Sequence, residues 1–167
     1  MMHNWFECKV SYVKTMENGL QKKVSEPYLV DAMSFTEAEA RIIEEIQPYI
    51  SGEFTVADIK RARYSELFFN EKGDRFYKFK VYFITLDEKS GAEKKTASQM
   101  LAQATTLEDA IVILNEGMKG TMADYVIASV SETMLVDVFP FDAGSIPSGK
   151  KSDEELMAEA KKEVETE

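Results

Sequence analysis

The chain has 167 residues, 44% of them hydrophobic and 11% aromatic, enough to bury a core in one domain or in two closely packed halves. Its net charge of −10 is spread as −3 over residues 1–72 (9 basic, 12 acidic), −4 over 73–144 (7 and 11) and −3 over 145–167 (4 and 7). This excludes broad, charge-driven binding to nucleic acid while leaving room for a local basic strip. One cysteine excludes an internal disulfide, one cysteine with one histidine excludes a zinc cluster, and no run of about 18 uncharged apolar residues is present to cross a membrane.

The start, MMHNWFECKV, lacks the basic and apolar regions of a signal peptide, so the expected location is cytoplasmic, and a reducing compartment agrees with a lone cysteine. In the first segment Phe6, Cys8, Val10 and Tyr12 alternate with Glu7, Lys9 and Ser11, the period of a strand with one buried face. Cys8 on that inward face reads as a small hydrophobe; a nucleophile would need a base, and the only histidine, His3, lies near the terminus. Asn18-Gly19 predicts a hairpin reversal. A second strand then covers about Lys22 to Ala32, and Pro27 within it removes a donor and predicts an edge or a bulge.

Ser34 with Glu37 three residues on predicts a capped helix start, and Ala38, Ile42, Ile43 and Ile46 form its apolar stripe, with Glu39, Arg41, Glu44 and Glu45 outward. Pro48 and Gly52 end it. Residues 54–68 read as a third strand, with Ile59, Arg61 and Arg63 on one face and Lys60, Ala62 and Tyr64 on the other, neither of them cleanly apolar.

After a polar turn at 70–74 the order repeats. Tyr77, Phe79, Val81 and Phe83 take the places of Phe6, Cys8, Val10 and Tyr12; Lys94-Lys95 follow a Ser90-Gly91 turn as Lys22-Lys23 follow Asn18-Gly19. Leu101 matches Leu29. A helix from Thr106 carries Ala110, Ile113 and Leu114, and a last strand holds Ile127, Val130, Leu135 and Val138 to Phe141. The expected fold class is therefore α+β: a tandem duplication of a strand-strand-helix-strand unit, antiparallel sheet under two helices, with pseudo-twofold symmetry. Residues 1–141 are expected as a single compact body of two repeats, about 4–70 and 74–141. Residues 142–167 are expected as a flexible linker and an acidic, partly helical tail in which Ser152 and Glu155 repeat the capping-box pattern.

The stretches NWFECKV, EPYLVDAMSFTEAEARIIEEI, SGEFTVADIKRARYSELFFN, KVYFITLDEKSGAEKKT and MKGTMADYVIASVSETMLVDVFP carry a resemblance. Over about residues 4–141 the chain closely resembles an uncharacterised bacterial and phage protein family, a domain of unknown function. That resemblance implies no activity and no catalytic residue, and it leaves the tail outside.

Chemistry is sparse. There is no Gly-rich phosphate loop of standard spacing, and Gly117 and Gly120 around Met118-Lys119 read as a helix stop. Carboxylate pairs such as Glu44-Glu45 lie on a solvated helix side, so no catalytic residue, metal or cofactor is assigned. The surface of interest is the outward side of the first strands: Trp5, Glu7, Lys9 and Ser11 in the first copy, Phe76, Lys78, Lys80 and Tyr82 in the second. Lys22, Lys23, Lys94, Lys95, Lys60, Arg61 and Arg63 could extend it. The leading reading is a non-enzymatic binding or assembly protein acting through exposed sheet faces and the acidic tail, with another protein or a second copy as partner. The alternative is single-stranded nucleic-acid binding, in which rings stack on bases and lysines neutralise phosphates.

Overall fold

The computed structural model describes residues 4–140. His3, Phe141 and the expected linker and tail over 142–167 lie outside the described residues. Both expected helices form, and eight strands make two four-stranded, mostly antiparallel sheets, so the class is α+β.

The first sheet has the order β3-β1-β2-β8. β1 (Trp5–Thr15) and β2 (Gln21–Asp31) form the hairpin that the alternation predicts, in an uninterrupted register from Trp5↔Asp31 to Thr15↔Gln21. Gly19, at φ 86°, takes the left-handed turn position that a side chain resists. Helix α1 (Phe35–Ile46) opens as its capping box dictates: Ser34 Oγ accepts from the Glu37 N–H at 3.1 Å, and Glu37 Oε1 accepts from the Met33 N–H at 2.8 Å. A short 3₁₀ turn at Gln47–Tyr49 follows, and β3 (Phe54–Ala62) lies antiparallel to β1.

The second sheet has the order β4-β6-β5-β7. β5 (Arg75–Leu86) and β6 (Glu93–Ala104) form its hairpin, α2 (Leu107–Gly117) begins under a Thr106 cap, and β7 (Asp124–Glu132) lies antiparallel to β5. Gly73 is buried at the entry to this sheet; a Cβ there would sit 2.5 Å from the Ala104 nitrogen, which leaves room only for glycine.

Both single long strands expected at the ends of the copies are corrected to two. The first breaks after Ala62 and resumes as β4 (Glu66–Phe68), which pairs in parallel with β6; the second breaks after Glu132 and resumes as β8 (Asp137–Phe139), which pairs in parallel with β2. The chain thus divides into one compact unit of residues 4–63 with 134–140 and another of 64–133. The sequence stretches and the units do not coincide, because each stretch sends its last short strand into the other sheet.

The mixed faces of the third strand have a cause. Lys9 pairs with Asp58 and Val10 with Val56, so Ala57 is an extra residue, and this bulge reverses the alternation midway; Ala128 does the same opposite Lys80 and Val81. Phe54, Val56 and Ile59 therefore all pack on the helix side.

Each unit has its own core. In the first, Phe6, Cys8, Val10, Tyr28 and Val30 meet Ala38, Ile42 and Ile46 of α1, together with Phe139 of β8. In the second, Tyr77, Phe79, Val81, Met100 and Ala102 meet Ala110, Leu114 and Met118. Ile43, expected on the α1 stripe, points outward and is 38% exposed, while Arg41, expected outward, is largely covered. Its guanidinium donates to the carbonyl oxygens of Asp31 (2.7 Å), Phe139 (3.5 Å) and Pro140 (3.2 Å), and to Glu45 (3.0 Å). It thereby holds the β8 segment to α1 and β2. The rings of Tyr28 and Phe139 stack with centroids 5.9 Å apart, a second contact between β2 and β8.

Candidate functional site

The strand registers decide where each candidate side chain points, because residues opposite one another share a face and neighbours alternate. In the first unit the face turned away from α1 carries Trp5, Glu7, Lys9 and Ser11 on β1, Lys23 opposite Val13 on β2, and Asp58 and Lys60 on β3. In the second, the face turned away from α2 carries Phe76, Lys78, Lys80 and Tyr82 on β5, Lys95 opposite Ile84 on β6, and Ser129 and Ser131 on β7.

The other basic candidates do not join these faces. Lys22 and Lys94 lie on the opposite sides of their hairpin arms, since they pair with Lys14 and Thr85. Arg61 pairs with Phe6 and sets its guanidinium carbon 5.2 Å from that ring, on the helix side. Arg63 falls beyond the end of β3.

Two of the aromatic candidates are not accessible. Trp5 and Phe76 are each 3% exposed, so neither can offer a ring face to a ligand. Leu29 and Leu101, opposite the neighbouring positions, are buried too. Alternation assigned these residues to the face away from the helix, and that much is right; it carries no information on whether that face is dry. Tyr82 is the aromatic that remains half-exposed. Lys80 Nζ stands 5.5 Å from its ring centroid and Lys95 Nζ 6.0 Å, both within cation–π range.

The hairpin arms form a second feature. β8 covers only Tyr28–Val30 of the 11-residue β2, and β4 covers only Met100–Ala102 of the 12-residue β6. Val136 N–H reaches the Pro27 carbonyl and Ser65 N–H reaches the Gln99 carbonyl, extending each cover by about one step. Since the N–H and C=O of a strand residue point the same way, Pro27 has its missing donor on this outer side, as a strand edge tolerates. Beyond these contacts the outer rims of residues 21–26 and 93–98 pair with no strand among the described residues. The arms are also apolar in places: Val13, Met16, Leu20 and Leu86 are 40–67% exposed.

Groups with reactive potential are tied up. Burial, with Glu7 and Glu39 adding to it, pushes the Cys8 thiol from 9.0 to about 12, which makes it inert as a nucleophile. Glu26 accepts hydrogen bonds from both Tyr12 (3.2 Å) and Tyr28 (3.1 Å); burial first and this carboxylate second raise both phenols. A shallow groove of about 480 Å³ between β4 and α2 is lined by Leu67, Phe68, Phe69 and Ile113, with Asn70 and Glu116 as polar members, and holds no acid–base pair. Among the described residues no His, Cys, Asp and Glu cluster is arranged for a metal, and no helix is long and apolar enough to cross a membrane.

The family model described as a domain of unknown function (DUF4494) matches residues 4–141, and the chain belongs to that family. No curated protein matches it.

Proposed function

We propose that this member of the DUF4494 family is a non-enzymatic binding protein that recognises another protein, in the simplest case a second copy of itself, through the open strand edges of its two hairpin arms. The observation that carries this reading is the shortness of β8 and β4: among the described residues, each leaves about half of a long strand with no strand paired to its outer side. Such a rim is a template for strand addition, with backbone bonds supplying affinity and alternate side chains supplying selectivity. Lys22, Lys23, Lys94 and Lys95 on these rims disfavour parallel, in-register pairing of identical strands, while an antiparallel second copy can set Glu26 opposite Lys22 and a foreign strand of complementary charge is admitted in the same way. The buried, unreactive Cys8 suits a reducing, cytoplasmic setting. The matching element and strand orders of the two units support descent from a duplicated unit.

Light scattering of the full chain over a range of concentrations, with wild type and a Ser25→Pro/Ala97→Pro variant, tests the reading. Odd-numbered residues of both strands point outward here, so these prolines remove outer donors and spare the inner ladders. The expected result is concentration-dependent association that the prolines abolish. A strict monomer at every concentration overturns the self-association case, and association indifferent to the prolines overturns the use of these edges.

A further inference from the structure

The two units provide an internal comparison. They share strand order, hairpin register, helix capping and a bulge after the fifth residue of the aligned β1 and β5 segments, between Lys9 and Val10 in one and Lys80 and Val81 in the other. Whatever the scaffold requires at a position should then be common to both. On the faces away from the helices the side chains differ. Where the first unit has Glu7, Lys9, Ser11, Lys23, Asp58 and Lys60, the second has Lys78, Lys80, Tyr82, Lys95, Ser129 and Ser131. The first face mixes charges and closes Ser11 onto Ser25 with a 2.8 Å hydrogen bond. At these six positions the second keeps three lysines, with Lys78 in place of Glu7 and Ser131 in place of Lys60, loses both acids and replaces the serine by a ring.

Among the described residues no carboxylate pairs with Lys78, Lys80 or Lys95; the acids sharing this face are Asp124, opposite Ile84, and Glu93, opposite Leu86, both toward the arm's outer end. In a chain of net charge −10, this face sets two exposed ammonium groups against one half-exposed ring, with a third exposed lysine, Lys78, further along the same strand face.

We propose that this face of the second sheet binds single-stranded nucleic acid, with Tyr82 as the stacking platform and Lys78, Lys80 and Lys95 as the phosphate contacts. Lys80 and Lys95 lie against the Tyr82 ring in the free protein. An arriving base takes the ring face, and the two ammonium groups swing from the ring to the flanking phosphates. Their long, flexible stems allow this without a backbone shift. A base paired in a duplex has its faces stacked on its neighbours and cannot make the exchange, which selects for single strands. The site uses side chains on a sheet face rather than the backbone rims of the arms, so either reading can fail while the other stands.

Fluorescence anisotropy with a labelled oligothymidylate and the full chain, at low and moderate salt, tests it. The wild type is expected to bind, with a Kd that rises steeply with salt as counterion release requires. Lys80→Glu/Lys95→Glu should weaken binding at least about tenfold, and Tyr82→Leu by about fivefold to 100-fold, while Tyr82→Phe keeps it. The matched pair in the first unit, Lys9→Glu/Lys23→Glu, should leave Kd within about twofold. The lysine variants change exposed residues only, and circular dichroism confirms their fold. No binding by the wild type at low salt overturns the proposal, as does equal weakening by the first-unit reversals or equal competition by duplex DNA.

Discussion

Cys8 shows how one buried atom ties stability to pH. Its thiol is pushed from 9.0 to about 12 chiefly by burial, so the folded state holds the proton more tightly than the unfolded chain does. The resulting stabilisation is fully present below pH 9 and is lost as pH rises toward 12. Tyr28 and Tyr12, raised by burial and by Glu26, act in the same direction. Melting curves across that window should show Cys8→Ala losing less stability with pH than the wild type does; parallel declines would contradict the assignment. Phe79, fully buried between β5 and α2, belongs to the same scale: Phe79→Ala should cost about 3–5 kcal/mol in denaturant titrations, because the sheet and helix around it cannot collapse into the space.

At the scale of elements, the short strand β8 depends on a side chain far away in sequence. Arg41 joins three carbonyls and a carboxylate, and two of those carbonyls, Phe139 and Pro140, belong to the segment that completes the first sheet. Arg41→Ala should destabilise by about 1.5–3 kcal/mol in chemical denaturation, with amide exchange accelerated most at residues 137–139. Uniform acceleration would mean that the clamp is not local to β8. Features of this length separate what was legible in the sequence from what was not. The hairpin turns, the Ser34 and Thr106 caps and the alternation of Phe6 to Val10 and of Tyr77 to Val81 are set by neighbours within about five residues, and each stood where the residues put it. The breaks at 63–65 and 133–136 were missed because a three-residue strand offers too few positions to alternate. Its partner lies about 34 residues away for β4 and about 109 for β8, and pairing across such distances leaves no local signal. The bulges hid the apolar face of β3 for a similar reason, since one extra alanine inverts the pattern. Of the candidate surface, the lysines were legible as exposed; the burial of Trp5 and Phe76 was not, because burial on a second sheet face depends on tertiary packing rather than on period.

For the whole molecule, the consequence is that neither sequence copy contains a finished unit. Residues 1–72 supply β1, β2, α1 and β3 of the first sheet but also β4 of the second, and they lack β8 and the Phe139 ring that enters the first core. Expressed alone, that fragment should melt well below the full chain, and co-expression with residues 73–141 should recover most of the loss; a fragment as stable as the whole would mean that the exchanged strands contribute little. The exchange also limits how much of each long hairpin is covered, and the account of function rests on those uncovered rims. Amide hydrogen exchange resolved by residue measures them directly. The outward amides of Lys23, Ser25, Lys95 and Ala97 should exchange fast in dilute protein and become protected as concentration rises, while their inward neighbours Lys22, Val24, Lys94 and Thr96 stay protected throughout. Outward amides whose exchange is the same at every concentration, in a sample that nonetheless associates, would contradict it.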